Sequence, residues 1–340
     1  MQTNSHRSFS RRDFLKLSAL GALSLLVPPA RKAAAAWEGL QGRVLVENAM
    51  TFDRPSLAGW PVAVFWKDNL LNIVRTVIGT EEDTPNRTWH ELEDGSYIHA
   101  TNVQTVRTVM NEAQKIPEWG MLAEVTIPFT DAHTRADHDS EVAYRFYYGT
   151  THWIDKRVYG RGLEPWYRVL DDRLDKTYFV PARYLRVIPA AELQPLSPNV
   201  PPENKRIEVS ISKQQITAYE GRRAVFMAQA STGDTDFYTP TGIFDTYYKR
   251  PSRHMDASDL TGGGDDLPGV PWVSYFHKDG IAFHGAYWHN DFGSPRSHGC
   301  INLSIHAAKW IYLWTNPVVR PDYQLIHRLP GSGTKVEIKY

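Results

Sequence analysis

The sequence predicts a mostly β protein, with two small β barrels followed by an antiparallel β domain that carries one main helix. Short segments of alternating apolar and polar residues recur along the chain and predict half-buried strands. Turn residues are frequent, with 23 glycines and 22 prolines among 340 residues. Aromatic residues make up 12% of the chain. This composition is typical of a turn-rich β protein and not of a disordered or coiled-coil chain.

Residues 1–36 read as an export signal. Arg11 and Arg12 form a twin-arginine pair, and the apolar run Leu17 to Val27 that follows is too short to cross a membrane, which takes about 20 residues. The alanines at positions 33–36 offer a cleavage site. The alternative is an amphipathic N-terminal helix. We therefore expect export by the twin-arginine (Tat) route, a site of action in the periplasm or cell wall, and no transmembrane helix.

The charge balance depends on this segment. The whole chain has 38 basic and 38 acidic residues, and residues 1–36 hold six of the basic ones and one of the acidic ones. Removing them leaves 32 basic and 37 acidic residues, a net charge of −5. A mildly acidic chain is not expected to bind nucleic acid.

Residues 40–110 and 121–189 are predicted to be two copies of one β unit. In each copy a strand that begins at Trp89 or Trp166 meets a second strand across a short polar turn, and a third apolar segment follows. These segments resemble the bacterial SH3-like domains of cell-wall enzymes. The resemblance implies that they bind wall polymer, including glycan. The alternative is that both tryptophans are ordinary core residues.

Residues 190–204 form a proline-rich linker, and residues 205–340 are predicted to be a further β domain. Asp279 and Gly280 predict a hairpin turn between two apolar strands. Ser304 is a candidate cap for a helix over Ile305 to Trp314, which Asn316-Pro317 would end. Residues 323–327 and 335–338 are predicted to be closing strands.

The single cysteine, Cys300, excludes an intrachain disulfide and any zinc site with two or more thiolates. A thiol becomes a good nucleophile only when a base or a positive field ionises it. His298 is two residues away, and His284 ends a predicted strand, where a ring is held more rigidly, so we favour His284 as the base. Gly285 and Gly299 would let the backbone approach closely, and the amides of Gly299 and Cys300 would form an oxyanion hole. The alternative is a buried structural thiol.

These residues resemble the signature of the L,D-transpeptidase (YkuD) family. The signature is a strand-end His-Gly, here His284-Gly285, followed after a loop by Ser-His-Gly-Cys, here the segment 297–300. The resemblance covers residues 205–340. Many members have arginine where this chain has Asn302, and Arg296 is a candidate replacement for that charge.

The resemblance implies a reaction on peptidoglycan. Cys300 would attack the carbonyl between the third stem residue and the terminal D-Ala, forming a thioester. The amine of a second stem would then attack this thioester, giving a 3–3 cross-link. Donor and acceptor stems are thus the expected partners, and neither a metal nor another cofactor is expected. His298 would shape the pocket. The residues expected to contact substrate are Ser297, Asn302, Arg296, Trp288 and Tyr275.

Two other functions stay open. If water attacks the thioester, the same site is an L,D-carboxypeptidase or another cysteine-dependent wall hydrolase. If the thiol is structural, the protein is a non-catalytic wall-binding protein.

Overall fold

β-strands account for most of the regular structure, which confirms the predicted mostly β class. The computed structural model describes residues 39–81, 84, 86–255 and 266–340. The predicted export signal at residues 1–36 lies outside these ranges. Within them the chain has 24 strands and one α-helix. In this part of the chain we find no helix that is both long enough and apolar enough to span a membrane.

The first β unit, residues 40–106, is a sheet of seven strands. Its order is β3-β2-β6-β5-β4-β1-β7. The strands are β1 (Leu40–Val44), β2 (Asn48–Phe52), β3 (Pro61–Trp66), β4 (Leu70–Ile78), β5 (Thr88–Leu92), β6 (Tyr97–His99) and β7 (Val103–Val106). A 3₁₀ turn over Ala100–Asn102 joins the last two strands.

The second β unit, residues 121–187, repeats that order as β10-β9-β13-β12-β11-β8-β14. Its strands are β8 (Met121–Val125), β9 (Phe129–His133), β10 (Val142–Tyr147), β11 (Thr151–Tyr159), β12 (Pro165–Leu170), β13 (Thr177–Pro181) and β14 (Leu185–Val187). Trp89 and Trp166 occupy the same place in the two units and are buried, so both are core residues. In each unit a glycine, Gly79 or Gly160, lies so close to the indole nitrogen that a Cβ there would clash with it.

The C-terminal domain, residues 205–340, contains two five-stranded sheets. One has the order β17-β16-β15-β24-β18 and the other β22-β21-β20-β19-β23. The strands are β15 (Lys205–Ser210), β16 (Gln215–Glu220), β17 (Arg223–Gln229), β18 (Gly242–Asp245), β19 (Tyr248–Met255), β20 (Leu267–Tyr275), β21 (Ala282–Gly285), β22 (Ile301–Leu303), β23 (Ile326–His327) and β24 (Lys335–Lys339). The pairs β15–β24 and β21–β22 are parallel, and the other pairs are antiparallel.

Local sequence signals predict several of these elements correctly. Helix α1 runs over Ile305–Trp314, as expected, and the Ser304 hydroxyl accepts a hydrogen bond from the Ala307 amide at its start. The hairpin at Asp279-Gly280 joins β20 to β21. The strand expected at 323–327 is shorter than predicted, because only Ile326 and His327 pair with β19.

The second β unit packs into the core of the C-terminal domain. Leu122 and Trp153 belong to the same buried apolar cluster as Trp272, Ile311 and Tyr312. Carboxylates of the β12–β13 turn add polar contacts: Asp172 pairs with Arg250 at 3.0 Å and with Arg253 at 2.8 Å. Asp171 binds His254 Nδ1 at 2.7 Å.

One buried arginine joins the first β unit to both neighbours. Arg43, 2% exposed, donates to the backbone carbonyl of Tyr287 in the C-terminal domain at 2.7 Å. It also pairs with Asp68 at 3.0 Å and lies 4.2 Å from the centre of the Tyr147 ring of the second unit. The carboxylate of Asp68 in turn contacts Arg145 of the second unit at 3.4 Å. We call this group of four side chains, Arg43, Asp68, Arg145 and Tyr147, the arginine joint.

Candidate functional site

The site is built where two neighbouring strands run in parallel. His284 lies on β21, opposite Asn302 on β22, and Cys300 immediately precedes β22. Parallel pairing requires the chain to leave one strand and return in the same direction, and residues 286–300 make that connection. The predicted base and the predicted nucleophile are therefore brought together by adjacent strands, although 16 residues separate them in sequence.

The segment after β17 holds this connection in place through backbone hydrogen bonds. Ser231 and Asn302 exchange a pair of N–H···O bonds, both 2.9 Å. The carbonyl of Thr232 accepts from the amides of Arg296 and Ser297, at 2.9 and 3.0 Å. Regular backbone pairing thus fixes both ends of the Ser-His-Gly-Cys segment.

The thiol of Cys300 is buried, with the residue 3% exposed. Its Sγ accepts a hydrogen bond from the Ala282 amide at 3.4 Å and donates one to the Gly280 carbonyl at 3.8 Å. The preceding Gly299 has a φ of +116°, a conformation that other residues rarely adopt. Glycine is therefore needed at this position for the backbone to turn before the nucleophile.

One of the two amides expected to form an oxyanion hole, that of Gly299, has a hydrogen-bond partner within its own segment. The Gly299 amide already donates to the Ser297 hydroxyl at 3.1 Å, and that hydroxyl donates in turn to the carbonyl of Cys300. All three residues are buried. Ser297 thus uses the Gly299 amide to close the turn around the cysteine, and the oxyanion role of this amide stays a prediction.

His284 is buried and held by its own strand end. Its Nδ1 contacts the carbonyl of Gly285 at 3.4 Å. A carbonyl can only accept, so this contact places the ring proton on Nδ1 and leaves Nε2 as an acceptor. Burial lowers the pKa of His284 to about 4, although the Gly285 carbonyl opposes that shift. The ring is consequently neutral at neutral pH.

A cavity of about 360 Å³ opens between these residues. Seven of the predicted site residues line it: His284, Trp288, Arg296, Ser297, His298, Cys300 and Asn302. Gly285, Gly299 and Tyr275 are not among the lining residues. Tyr275 instead stacks on Tyr248, with ring centres 4.9 Å apart.

The two residues considered as replacements for the family arginine both have partners. The Asn302 side-chain amide binds Nε2 of His289 at 2.9 Å. Arg296 is 56% exposed and pairs with Asp291, its Nε lying 2.7 Å from the carboxylate. Burial lowers the pKa of His289 to about 4, so Asn302 faces a neutral ring at neutral pH.

Sequence reasoning missed several residues of the lining. His289 and Asp291 follow Trp288 in a short polar run, and this run could have indicated further site residues. Val46, Thr101 and Asn102 come from the first β unit, and Met255 and Leu267 come from strands β19 and β20. Nothing in their local sequence indicates a site, because they reach the cavity only through packing between distant parts of the chain.

No metal site accompanies these side chains in the residues that the structure describes. There, no group of three or more histidine, cysteine, aspartate or glutamate side chains is placed to hold a metal ion.

Comparison with known proteins identifies the C-terminal domain. Residues 204–338 match the model of the YkuD L,D-transpeptidase catalytic domain. "Putative L,D-transpeptidase YciB" of Bacillus subtilis (strain 168) is 27% identical over 128 residues, which is 34% of this chain and 63% of that protein. "Putative L,D-transpeptidase YqjB" of the same organism is 23% identical over 154 residues, or 43% of this chain and 86% of the relative. The chain therefore spans less than two thirds of the length of YciB.

Solved structures of L,D-transpeptidases also match. An L,D-transpeptidase from Mycobacterium smegmatis is 20% identical, with a TM-score of 0.33, and the match covers 50% of this chain and 75% of that one. An L,D-transpeptidase from Xylanimonas cellulosilytica DSM 15894 is 27% identical, with a TM-score of 0.30, covering 40% and 60%. The match to the L,D-transpeptidase catalytic domain of the YkuD family lies within the C-terminal domain, at residues 204–338.

Proposed function

We propose that the protein is a peptidoglycan L,D-transpeptidase that forms 3–3 cross-links through a thioester on Cys300. One observation carries the proposal: in a catalytic domain of this family, the only thiol of the chain and a neutral, backbone-held histidine line the same cavity. A structural thiol would need neither an adjacent cavity nor a neighbouring base.

In the first half of the reaction, Cys300 attacks the carbonyl that joins the third stem residue, a diamino acid, to the terminal D-Ala. His284 accepts the thiol proton at Nε2 as the carbon–sulfur bond forms. The carbon–nitrogen bond then breaks, and the protonated His284 returns the proton to the amine of the departing D-Ala. Because burial lowers the pKa of His284 to about 4, the ring is neutral at neutral pH and its Nε2 can accept the proton.

In the second half, the side-chain amine of another stem attacks the thioester. A new amide bond forms between the two third residues, the carbon–sulfur bond breaks, and the amine proton passes through His284 to the cysteine sulfur. If water attacks instead, the product is a free tripeptide stem.

The remaining predicted residues would shape the cleft in which the stems bind. His298, whose ring packs edge-on against Phe237 with centres 4.5 Å apart, would form one side of it. Trp288, Arg296, Ser297 and Asn302 line the same cavity and are the proposed substrate contacts there. Oxyanion stabilisation by the Cys300 amide stays a prediction.

The proposed reaction sets the place of action, because peptidoglycan lies outside the cytoplasmic membrane. Export by the twin-arginine route would take the protein to the periplasm or cell wall. There the two β units, proposed to be SH3-like, would hold the catalytic domain against wall glycan.

The decisive experiment measures both steps with purified protein. A carbapenem should add one equivalent of mass to the wild-type protein and none to Cys300→Ala. A disaccharide-tetrapeptide donor with excess acceptor should yield a 3–3 cross-linked dimer and free D-Ala, read by mass spectrometry.

Each outcome has a distinct meaning. A carbapenem adduct that persists in Cys300→Ala, or its absence from the wild type, would refute the enzymatic function. Free D-Ala and tripeptide without dimer would make the protein a carboxypeptidase and not a transpeptidase.

A further inference from the structure

The wall of the cavity opposite the catalytic domain comes from the first β unit. Val46, Thr101 and Asn102 line the cavity together with Cys300 and His284, although about 200 residues separate Thr101 from Cys300 in sequence. The match to the catalytic-domain family begins only at residue 204. This wall is therefore an addition to the family domain.

Hydrogen bonds join this part of the first β unit directly to the segment that connects His284 with Cys300. The side-chain amide of Asn290 donates to the carbonyls of Ala100 and Val103, at 3.0 and 3.2 Å. These two carbonyls flank Thr101 and Asn102. Arg43 adds its bond to the Tyr287 carbonyl at 2.7 Å. The first β unit is thus attached at two points, Tyr287 and Asn290, to the connection between His284 and Cys300.

Asn102 has the chemistry of a peptide-binding group. It is half-buried, and its side-chain amide makes no hydrogen bond to any of the described residues, whereas its backbone carbonyl accepts from Leu45 at 2.9 Å. The neighbouring Thr101 hydroxyl is already bonded to His99 at 2.6 Å. A carboxamide offers both a donor and an acceptor, which matches the N–H and C=O of a peptide backbone.

Val46 supplies the apolar part of this wall. It is 37% exposed and lies immediately after the buried pair Val44 and Leu45. An apolar side chain beside an open carboxamide suits an extended peptide, which presents side chains and backbone groups in alternation.

We propose that the first β unit completes the substrate cleft and that Asn102 hydrogen-bonds the backbone of the bound stem peptide. This inference rests on the proposed function, because it takes the substrate to be a stem peptide. It adds a substrate-binding residue from outside the catalytic domain.

The test measures binding without turnover, in the Cys300→Ala protein. Isothermal titration calorimetry gives the Kd of a tetrapeptide stem for the Cys300→Ala protein. The same measurement is made on two double variants, in which Asn102→Ala or the isosteric Asn102→Asp is added to Cys300→Ala. Loss of one peptide hydrogen bond should raise the Kd by about 10-fold. Asn48→Ala is the matched control, because Asn48 is exposed in the same unit and is not part of the cavity lining.

In the enzyme with Cys300 intact, Asn102→Ala should raise KM for a stem peptide by a similar factor and leave kcat within about twofold. A Kd that is the same in Asn102→Ala and Asn48→Ala would overturn the proposal. Because the binding arm needs no catalysis, it distinguishes failure of this inference from failure of the proposed transpeptidation.

Discussion

The protonation state of His284 constrains the chemistry more than any other property of a single residue. The ring is buried, and its strand-end carbonyl fixes the proton on Nδ1. Burial disfavours the imidazolium and holds the pKa near 4. The ring is therefore neutral, and able to accept a proton, at pH values well above 4.

This property predicts an acid-tolerant acylation. A group with a depressed pKa is already neutral above that pKa, so the wild-type rate of carbapenem acylation should change less than about twofold between pH 7 and pH 5.5. A histidine with the ordinary pKa of about 6.5 would be about 90% protonated at pH 5.5, and the rate would fall about tenfold. A tenfold fall in stopped-flow measurements would contradict the prediction.

Substitution of the base gives a second prediction at this scale. His284→Gln should slow acylation by at least ~10²-fold, because it removes the proton acceptor. His306→Gln changes an exposed histidine on α1 and should acylate as the wild type does. Wild-type rates in His284→Gln would move the role of base to His298.

The motif residues could be identified from sequence, but their contacts could not. A single thiol, two glycine-flanked histidines and an export signal are unusual enough to indicate nucleophilic chemistry. The bond between the Gly299 amide and Ser297 depends on a backbone with φ of +116°, which local sequence does not specify. The oxyanion role expected of Gly299 therefore stays a prediction, and its bond to Ser297 is a contact that the motif did not reveal.

At the scale of elements, the bounds of helix α1 can be predicted from local sequence, but the contacts at its C-terminal end cannot. Its start follows from Ser304, a local cap, and its end from Asn316-Pro317. The polar groups at its C-terminal end are satisfied from elsewhere in the chain. Lys249 donates to the carbonyls of Tyr312 and Thr315, and Lys205 donates to the carbonyl of Trp314 at 3.1 Å. These lysines come from two different strands, so no local pattern reveals them.

Lys249 is 1% exposed, and burial lowers its pKa well below the ordinary value. A neutral amine still has two N–H donors, which matches the two carbonyls it contacts. In the pH window between the lowered pKa and about 10.5, the unfolded chain binds more protons than the folded chain. Stability contributed by this group should therefore rise with pH.

The measurement is the free energy of unfolding in urea between pH 8 and pH 10. The free energy of unfolding of the wild type minus that of Lys249→Met should increase with pH, by up to about 1.4 kcal/mol per pH unit. Lys213→Met, at an exposed turn position, serves as the control and should show no such trend. Parallel pH profiles for the wild type and Lys249→Met would contradict the assignment.

At the scale of the whole molecule, the two β units share one topology but have different neighbours. Their strand orders are identical, and each buries its own tryptophan. Sequence reasoning predicted two copies of one β unit from the tryptophan-led strands, the polar turns and the apolar segment that follows them. It did not predict that the first unit reaches the cavity, because this depends on the contacts of Arg43 and Asn290 between distant parts of the chain and not on any pattern within the unit.

The arginine joint gives the prediction at this scale. Arg43→Met removes a buried cation together with its hydrogen bond to the Tyr287 carbonyl and its ion pair with Asp68, which should cost about 3 kcal/mol. The Tm should fall by roughly 5 °C or more. Arg75→Met removes an exposed arginine that pairs with Glu91 and should change the Tm little. Equal Tm values for the two variants would show that the joint contributes nothing to stability.

One turn makes the two units non-interchangeable despite their common fold. Asp68 and Gly149 occupy equivalent positions, with φ of +67° and +77°, and their amides bind Val44 and Val125 in the same way, each at 2.9 Å. The first unit needs the carboxylate there for the arginine joint. In the second unit a Cβ at this position would lie 2.5 Å from Cδ1 of Ile305 at the start of α1, so that side chain would have to move. Exchanging the order of the units along the chain would therefore break the joint at one position and create a steric clash at the other.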